Sequence, residues 1–246
     1  MRIALISDIH GNLEALAAVL THAMRQRVDR IAVLGDIVGY GADPRACTEA
    51  VMRLAEEGAI VLKGNHDEAV ERADPDMNAD ALAAITWTRG VLSADHRAFL
   101  AGLPLTARLD DLLLVHASAR HPGQWPYVMT PRDAELSLDA TDARLVASGH
   151  THVPALFSLQ PNRTCVAFTP VAGSPVPLAA HRRWQIVVGA VGQPRDGTPL
   201  AAYAVLDLAQ GVLEPHRVPY DHQAAAAKIR AAGLPDRLAS RLALGR

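Results

Sequence analysis

Cysteine is nearly absent from this chain: Cys47 and Cys165 are its two thiols. A chain of 246 residues with so few cannot rest on a disulfide framework, and a reduced, cytoplasmic setting fits better. Long apolar runs are missing too, since no stretch approaches the roughly 18 residues that a membrane-spanning helix needs. The opening Met-Arg-Ile-Ala-Leu-Ile-Ser is too short an apolar run for a signal sequence, and Asp8 and His10 end it at once. Neither sign of charge prevails; the formal net charge is −2 and the pI about 6.6. Composition therefore gives no general attraction to nucleic acid or anionic lipid. Aromatic residues make up only 4%, so a ring beside a polar motif stands out.

What the chain does have is apolar residue in quantity, 50% of the total, enough for a sizeable core. Its length fits one large α/β domain over 1–246, with closing helices from about residue 221. No internal repeat, low-complexity stretch or linker interrupts it. Short apolar runs at 3–7, 31–34 and 59–62 read as strands. Helical patterns at 13–27 and 43–57 separate them, the first with Leu13, Leu16, Ala17 and Leu20 at helical spacing. Pro44 suits the first turn of the second helix. That alternation predicts a parallel sheet covered by helices. A helical stretch is expected over 79–101 and strands over 112–115 and 144–147. The remainder turns β-rich, with strands over 155–159, 163–168, 184–188, 201–206 and 212–218.

Polar motifs end the strands. They are Ser-Asp-Ile-His-Gly-Asn with Asp8 and His10, Leu-Gly-Asp with Asp36, and Lys-Gly-Asn-His-Asp with Asn65 and His66. Val-His-Ala-Ser with His116 and Ser-Gly-His-Thr-His with His150 and His152 complete the set. Ligand-binding groups in such sheets belong at the carboxyl ends of strands, where these motifs fall. Three oxygen donors and four imidazoles suffice for two divalent ions with one carboxylate shared, the usual device for displacement at phosphorus. Taken singly, each motif has a plainer reading. Asp8-x-His10 puts two donors on one side of an extended backbone, yet also describes a solvated strand end. Asp36 would be costly buried without a partner, but could cap the next segment. Gly64-Asn65 could be a turn before a helix starting near Asp67. Strand-end histidines such as His116 are more often structural, although His150 and His152 after a glycine have ligand-like spacing. His22, His96, His121, His181, His216 and His222 lie in polar or turn contexts and read as ordinary surface residues.

In their order, Asp-x-His, Gly-Asp, Gly-Asn-His-Asp, a single His and Gly-His-x-His, the motifs resemble the calcineurin-like metallophosphoesterase superfamily. The segments Gly-Asp-Ile-Val-Gly-Tyr-Gly-Ala-Asp-Pro and Val-Gly-Gln-Pro-Arg-Asp-Gly resemble a bacterial subgroup near YfcE-like phosphodiesterases and diadenosine tetraphosphatases. The resemblance implies a four-layer α/β/β/α sandwich. It also implies one ion on Asp8, His10 and His152, another on Asn65, His116 and His150, and Asp36 bridging them. A bridging water or hydroxide would attack phosphorus, and His66 would donate a proton to the leaving oxygen. Manganese or iron is the metal it suggests, and a mixed imidazole–carboxylate set equally accepts zinc, cobalt or nickel. Gly39-Tyr40-Gly41 stands where the phosphoprotein phosphatases carry Asp-Arg-Gly, which counts against a protein phosphatase. Val188-Gly189-Ala190 replaces the Asn-Pro-Gly-Ser common in the subgroup.

The expected substrate is a small-molecule phosphoester, such as a phosphodiester or dinucleoside polyphosphate. A phosphomonoesterase and an inactive scaffold that keeps the fold are the alternatives. Tyr40, Trp125, Tyr127 and Arg195 are candidates for a substrate pocket, although packing or a turn explains each as well. The apolar C-terminal helices could pack on the domain or on a second copy in a homo-oligomer.

Overall fold

Alternate residues of β1 (Arg2–Ile6) enter two different cores: Ile3 and Leu5 face one, Ala4 and Ile6 the other. A strand buried on both faces belongs in the middle of a layered fold, because side chains alternate across the sheet. The computed structural model describes residues 1–72 and 77–246 and shows those layers.

The first half follows the alternation expected of it. After β1 come α1 (Leu13–Arg25), β2 (Arg30–Val33), α2 (Pro44–Glu56) and β3 (Ile60–Val61). The side-chain oxygen of Asn12 accepts the Ala15 amide and starts α1, while Pro44 opens α2. Three helices follow: α3 (Asn65–Ala69), α4 (Ala79–Val91) and α5 (Ala94–Gly102). The single helical stretch expected over 79–101 is thus two helices. Leu92 is extended (ψ 139°), and the Ser93 hydroxyl accepts the His96 amide to start a new one. Then come β4 (Thr106–Leu109), β5 (Leu112–Val115), α6 (Pro131–Asp139), β6 (Leu145–Ser148), β7 (Ala155–Leu159) and β8 (Cys165–Phe168). The chain closes with β9 (Val176–Pro177), β10 (Arg183–Val187), β11 (Ala201–Asp207), β12 (Val212–Val218), α7 (His222–Ala231) and α8 (Asp236–Leu244).

These strands make two six-stranded mixed sheets, in the orders β3-β2-β1-β11-β12-β9 and β4-β5-β6-β10-β7-β8. β1, β2 and β3 run parallel, as do β5, β6 and β10. β11 pairs antiparallel with β1, so late strands complete the sheet that early ones begin. Ile3, Leu5, Leu34 and Leu206 of one sheet meet Leu112, Leu114, Leu145 and Ile186 of the other in a shared core. Fully burying each such side chain contributes on the order of 2 kcal/mol. The outer face of the first sheet packs Ile6, Val33 and Val205 on Leu16, Val19 and Val51 of α1 and α2. α6 covers the second through Leu138 against Val115 and Val146. The result is the α/β/β/α order that the family resemblance implied.

Helices α4, α7 and α8 form a further cluster through Ala84, Ile229, Leu238 and Leu242, with Tyr40 packed into it. Lys228 of α7 ties this layer down by reaching both Glu14 (2.5 Å) and Asp43 (2.7 Å). Among the described residues no helix is long and apolar enough to cross a membrane.

Candidate metal centre

The parallel strands end at one edge, and the polar motifs follow them there. Asp8 and His10 come after β1, Asp36 after β2, Asn65 at the start of α3 after β3, His116 after β5, and His150 and His152 after β6. The backbone leaves the extended conformation at once. Asp8, His10, Asp36, His150 and His152 have φ of 56°, 49°, 55°, 67° and 62°. Asp8 and His10 therefore converge through a left-handed turn, not by strand alternation. Such φ values cost a non-glycine residue about 1–2 kcal/mol, so the surrounding loops must impose them. They do: Asp8 N–H donates to Gly35 O (3.1 Å), His10 N–H to Asp36 O (2.9 Å) and Gly149 N–H to His116 O (2.9 Å). Gly64 lies so close that a Cβ there would overlap the Asp36 carboxylate, and one at Gly149 would overlap Ser7.

Two groups of ligand-type atoms result, each within 4.8 Å of one another: Asp8, His10, Asp36 and His152, then Asp36, His116 and His150. Asp36 belongs to both. One of its oxygens, Oδ1, accepts the His66 amide at 2.9 Å, and the other lies 3.6 Å from His10 Nε2 and 3.4 Å from His116 Nε2. Asn65 Oδ1 joins the second group, 3.3 Å from His116 Nε2. Every one of the seven predicted ligand side chains is thus brought to one place.

The donor set fits metal ions, and the imidazoles show why. His10 Nδ1 bonds Val38 O (3.1 Å), His152 Nδ1 bonds Gln193 O (2.6 Å) and His116 Nδ1 bonds Leu34 O (2.8 Å). A ring whose Nδ1–H donates to a carbonyl presents a bare Nε2 in its neutral form. The Nε2 atoms of His10 and His152 lie 3.1 Å apart, two lone pairs that repel each other unless a proton or a cation is shared by both. His150 Nε2 is buried without a hydrogen-bond partner among the described residues. Buried charge is unbalanced as well. Burial and the Asp36 charge push the Asp8 carboxyl up to about 7, against the pull of His116. Burial alone would lower His116, but the Asp36 charge and hydrogen bond outweigh it and hold the ring at about 9. Burial and the charge on His116 push His150 down to about 3. Burial holds His10 and His152 well below the ordinary histidine range.

Beside the cluster is a cleft of about 260 Å³, lined by Asp36, Asn65, His66, His150 and His152 on its floor. Tyr40, Trp125, Tyr127 and Arg195, the four pocket candidates, all reach its walls. Tyr127 stacks on His150 (centroids 4.1 Å apart, 25°), and Trp125 Nε1–H donates to Glu68 at 3.1 Å. The His66 ring packs at 4.9 Å from His10 and 4.5 Å from Tyr40. Asp67, read from sequence as a helix start, does more. Its Oδ1 accepts the amides of Ile37 (2.9 Å) and Val38 (3.3 Å), and its Oδ2 that of Gly64 (2.9 Å), joining two ligand loops. Burial and the nearby Asp36 charge raise its carboxyl to about 7. Among the six histidines read as surface residues, His121 and His181 are exposed. His22, His96, His216 and His222 are half-buried instead, and His216 stacks on Tyr203 at 4.9 Å with its Nε2 buried.

Residues 1–211 match the calcineurin-like phosphoesterase superfamily domain. An uncharacterized protein of Methanocaldococcus jannaschii is 36% identical over 251 residues, covering 99% of this chain and 98% of its own. The crystal structure of a metallophosphoesterase from Sphaerobacter thermophilus superimposes with a TM-score of 0.88 at 42% identity, covering 100% and 99% of the two chains. A symmetrical bis(5′-nucleosyl)-tetraphosphatase of Chromohalobacter salexigens is 35% identical over 128 residues, 49% of this chain and 44% of that one. With its two β-sheets, flanking helices and buried His/Asp cluster, the chain belongs to the calcineurin-like phosphoesterase superfamily of hydrolases.

Proposed function

We propose that this chain hydrolyses a phosphodiester or dinucleoside polyphosphate at a pair of divalent ions. The observation that carries the reading is Asp36, common to two groups of buried ligand atoms. Asp8, His10 and His152 would hold one ion and Asn65, His116 and His150 the other, with Asp36 shared between them. Manganese or iron suits the mixed imidazole and oxygen donors. Bound there, divalent ions would supply Lewis-acid activation of a water and neutralisation of charge on the phosphoryl oxygens.

The chain's own groups do the rest. Backbone carbonyls of Leu34, Val38 and Gln193 fix the tautomers of His116, His10 and His152, keeping Nε2 available. His66, on the cleft floor beside Asp36, donates a proton to the leaving oxygen. Trp125 and Tyr127 give the cleft aromatic walls against which a base or ester group can lie. The partial likeness to a bis(5′-nucleosyl)-tetraphosphatase supports the dinucleoside polyphosphate alternative. Cys47 and Cys165, both free thiols, suit a cytoplasmic setting.

The test is hydrolysis of bis-p-nitrophenyl phosphate against p-nitrophenyl phosphate by metal-stripped protein with manganese added back. Metal-dependent turnover favouring the diester is expected. Preference for the monoester would make the chain a phosphomonoesterase, and bound metal without turnover of either ester would favour a scaffold.

A further inference from the structure

Among the described residues lining the cleft, Arg195 alone carries a permanent positive charge. It comes from the loop between β10 and β11, outside the motifs that supply the ligand cluster. Its guanidinium is bonded to a neutral group, Nη2 and Nε donating to Gln193 Oε1 at 2.8 and 3.3 Å, with Cζ 5.7 Å from the Tyr40 ring centroid and the Arg241 guanidinium close enough to feel its charge. Among the described residues no carboxylate lies within ion-pair distance of it. A guanidinium has five N–H donors, so this neutral pairing leaves capacity for an anion.

The loop is braced to hold that position. Gly192 N–H donates to Asp8 O (2.8 Å), Arg195 N–H to His152 O (3.3 Å), and Gly197 N–H to Gly245 O just past α8 (2.9 Å). Asp196 pairs with Arg217 of β12. Gln193, which orients the guanidinium through its side chain, also accepts His152 Nδ1–H through its backbone carbonyl. Ligand and cation are therefore set by one residue.

Charge then discriminates between substrates. Two divalent ions held by Asp8 and Asp36, with neutral partners otherwise, would leave the centre about two positive charges in excess, and Arg195 would add a third. A simple diester brings one negative charge. A chain of adjacent phosphoryl groups brings more, and only such a substrate has a second set of oxygens to occupy the guanidinium while the first sits at the metals.

Building on the function proposed above, we infer that Arg195 binds a second phosphoryl group next to the one attacked, which makes a phosphoanhydride chain the preferred substrate over a simple diester. The test is isothermal titration of manganese-loaded protein with inorganic phosphate and with methylenediphosphonate, whose P–C–P bridge resists cleavage. The native chain should bind the diphosphonate about tenfold more tightly. Arg195→Ala should lose that preference to within about threefold, Arg195→Lys should keep part of it, and both should hold as much manganese as the native chain. Equal affinity of the native chain for the two probes, binding of neither, or a preference that survives in Arg195→Ala overturns the inference. So does loss of manganese from that variant, which would make Arg195 a support of the centre. A chain that shows the preference but hydrolyses no phosphoester would instead overturn the proposed activity and leave Arg195 an anion-binding residue.

Discussion

Asp36 Oδ2 lies 3.4 Å from His116 Nε2, a contact that, with these two as the proposed ligands, sets metal uptake in competition with a proton. With the site free of metal, Asp36 holds the His116 ring protonated up to about pH 9, while burial keeps a proton on Asp8 up to about 7. Both groups must lose those protons to bind an ion. Metal affinity should therefore rise steeply with pH below about 7, where close to two protons leave, then by about one proton's worth to 9, and level off above. Manganese titrations at several pH values, with proton release read from buffers of different ionisation enthalpy, check the slope. Affinity independent of pH from 6 to 9 would contradict it.

Asp36→Asn removes the charge shared by both ligand groups while nearly preserving shape. Bound manganese should fall below that of the native chain, and activity should drop by more than the roughly 10–100-fold typical of losing an outer-shell partner. Metal analysis alongside kcat/KM decides. Full occupancy with full activity would show that Asp36 does not bridge.

His66→Ala should retain the metals and lose roughly 10²–10⁴-fold in turnover, the usual contribution of a positioned proton donor. The loss should be smaller for esters with a good leaving group, such as p-nitrophenolate, than for alkyl esters. Depletion of metal in this variant would make His66 a ligand.

Asp67→Ala leaves the amides of Ile37, Val38 and Gly64 without their acceptor inside the protein. The expected cost is on the order of 3 kcal/mol in unfolding free energy, with metal affinity falling as the two loops part. Asp67→Asn keeps one oxygen and should fall between. Denaturant unfolding of the metal-free and manganese-loaded forms separates the effects.

The candidate site was legible because it gathers residues whose types are unusual at strand ends. Asp36 or His116 alone would pass for a cap or a core imidazole, and only their order along the chain removes that ambiguity. β1 and β5 were plain as apolar runs. β4 was not, because its exposure alternates and its residues include Thr106 and Arg108. α6 was missed although Thr130-Pro131 and Asp133 carry a helix-start signal, the Thr130 hydroxyl accepting the Asp133 amide. The break at Ser93 was hidden by apolar residues on either side of it. Asp67 was legible as a helix start but not as a brace between loops, because its partners there are the backbone amides of Ile37 and Val38, which no side-chain pattern reveals. Gln193 was equally silent, since it acts partly through its own carbonyl.

The left-handed backbone at Asp8, His10, Asp36, His150 and His152 has a bearing on how this fold would decay. A descendant that no longer needed metals could discard the ligand side chains but not the turns that carry them, because both sheets end in those turns. Valine or isoleucine, the easy replacements beside a strand, are the residues least able to take those φ values. Glycine and asparagine are the ones that can. Loss of catalysis in this lineage should therefore leave a recognisable scar, with motif aspartates and histidines giving way to glycine or asparagine while the loops keep their length.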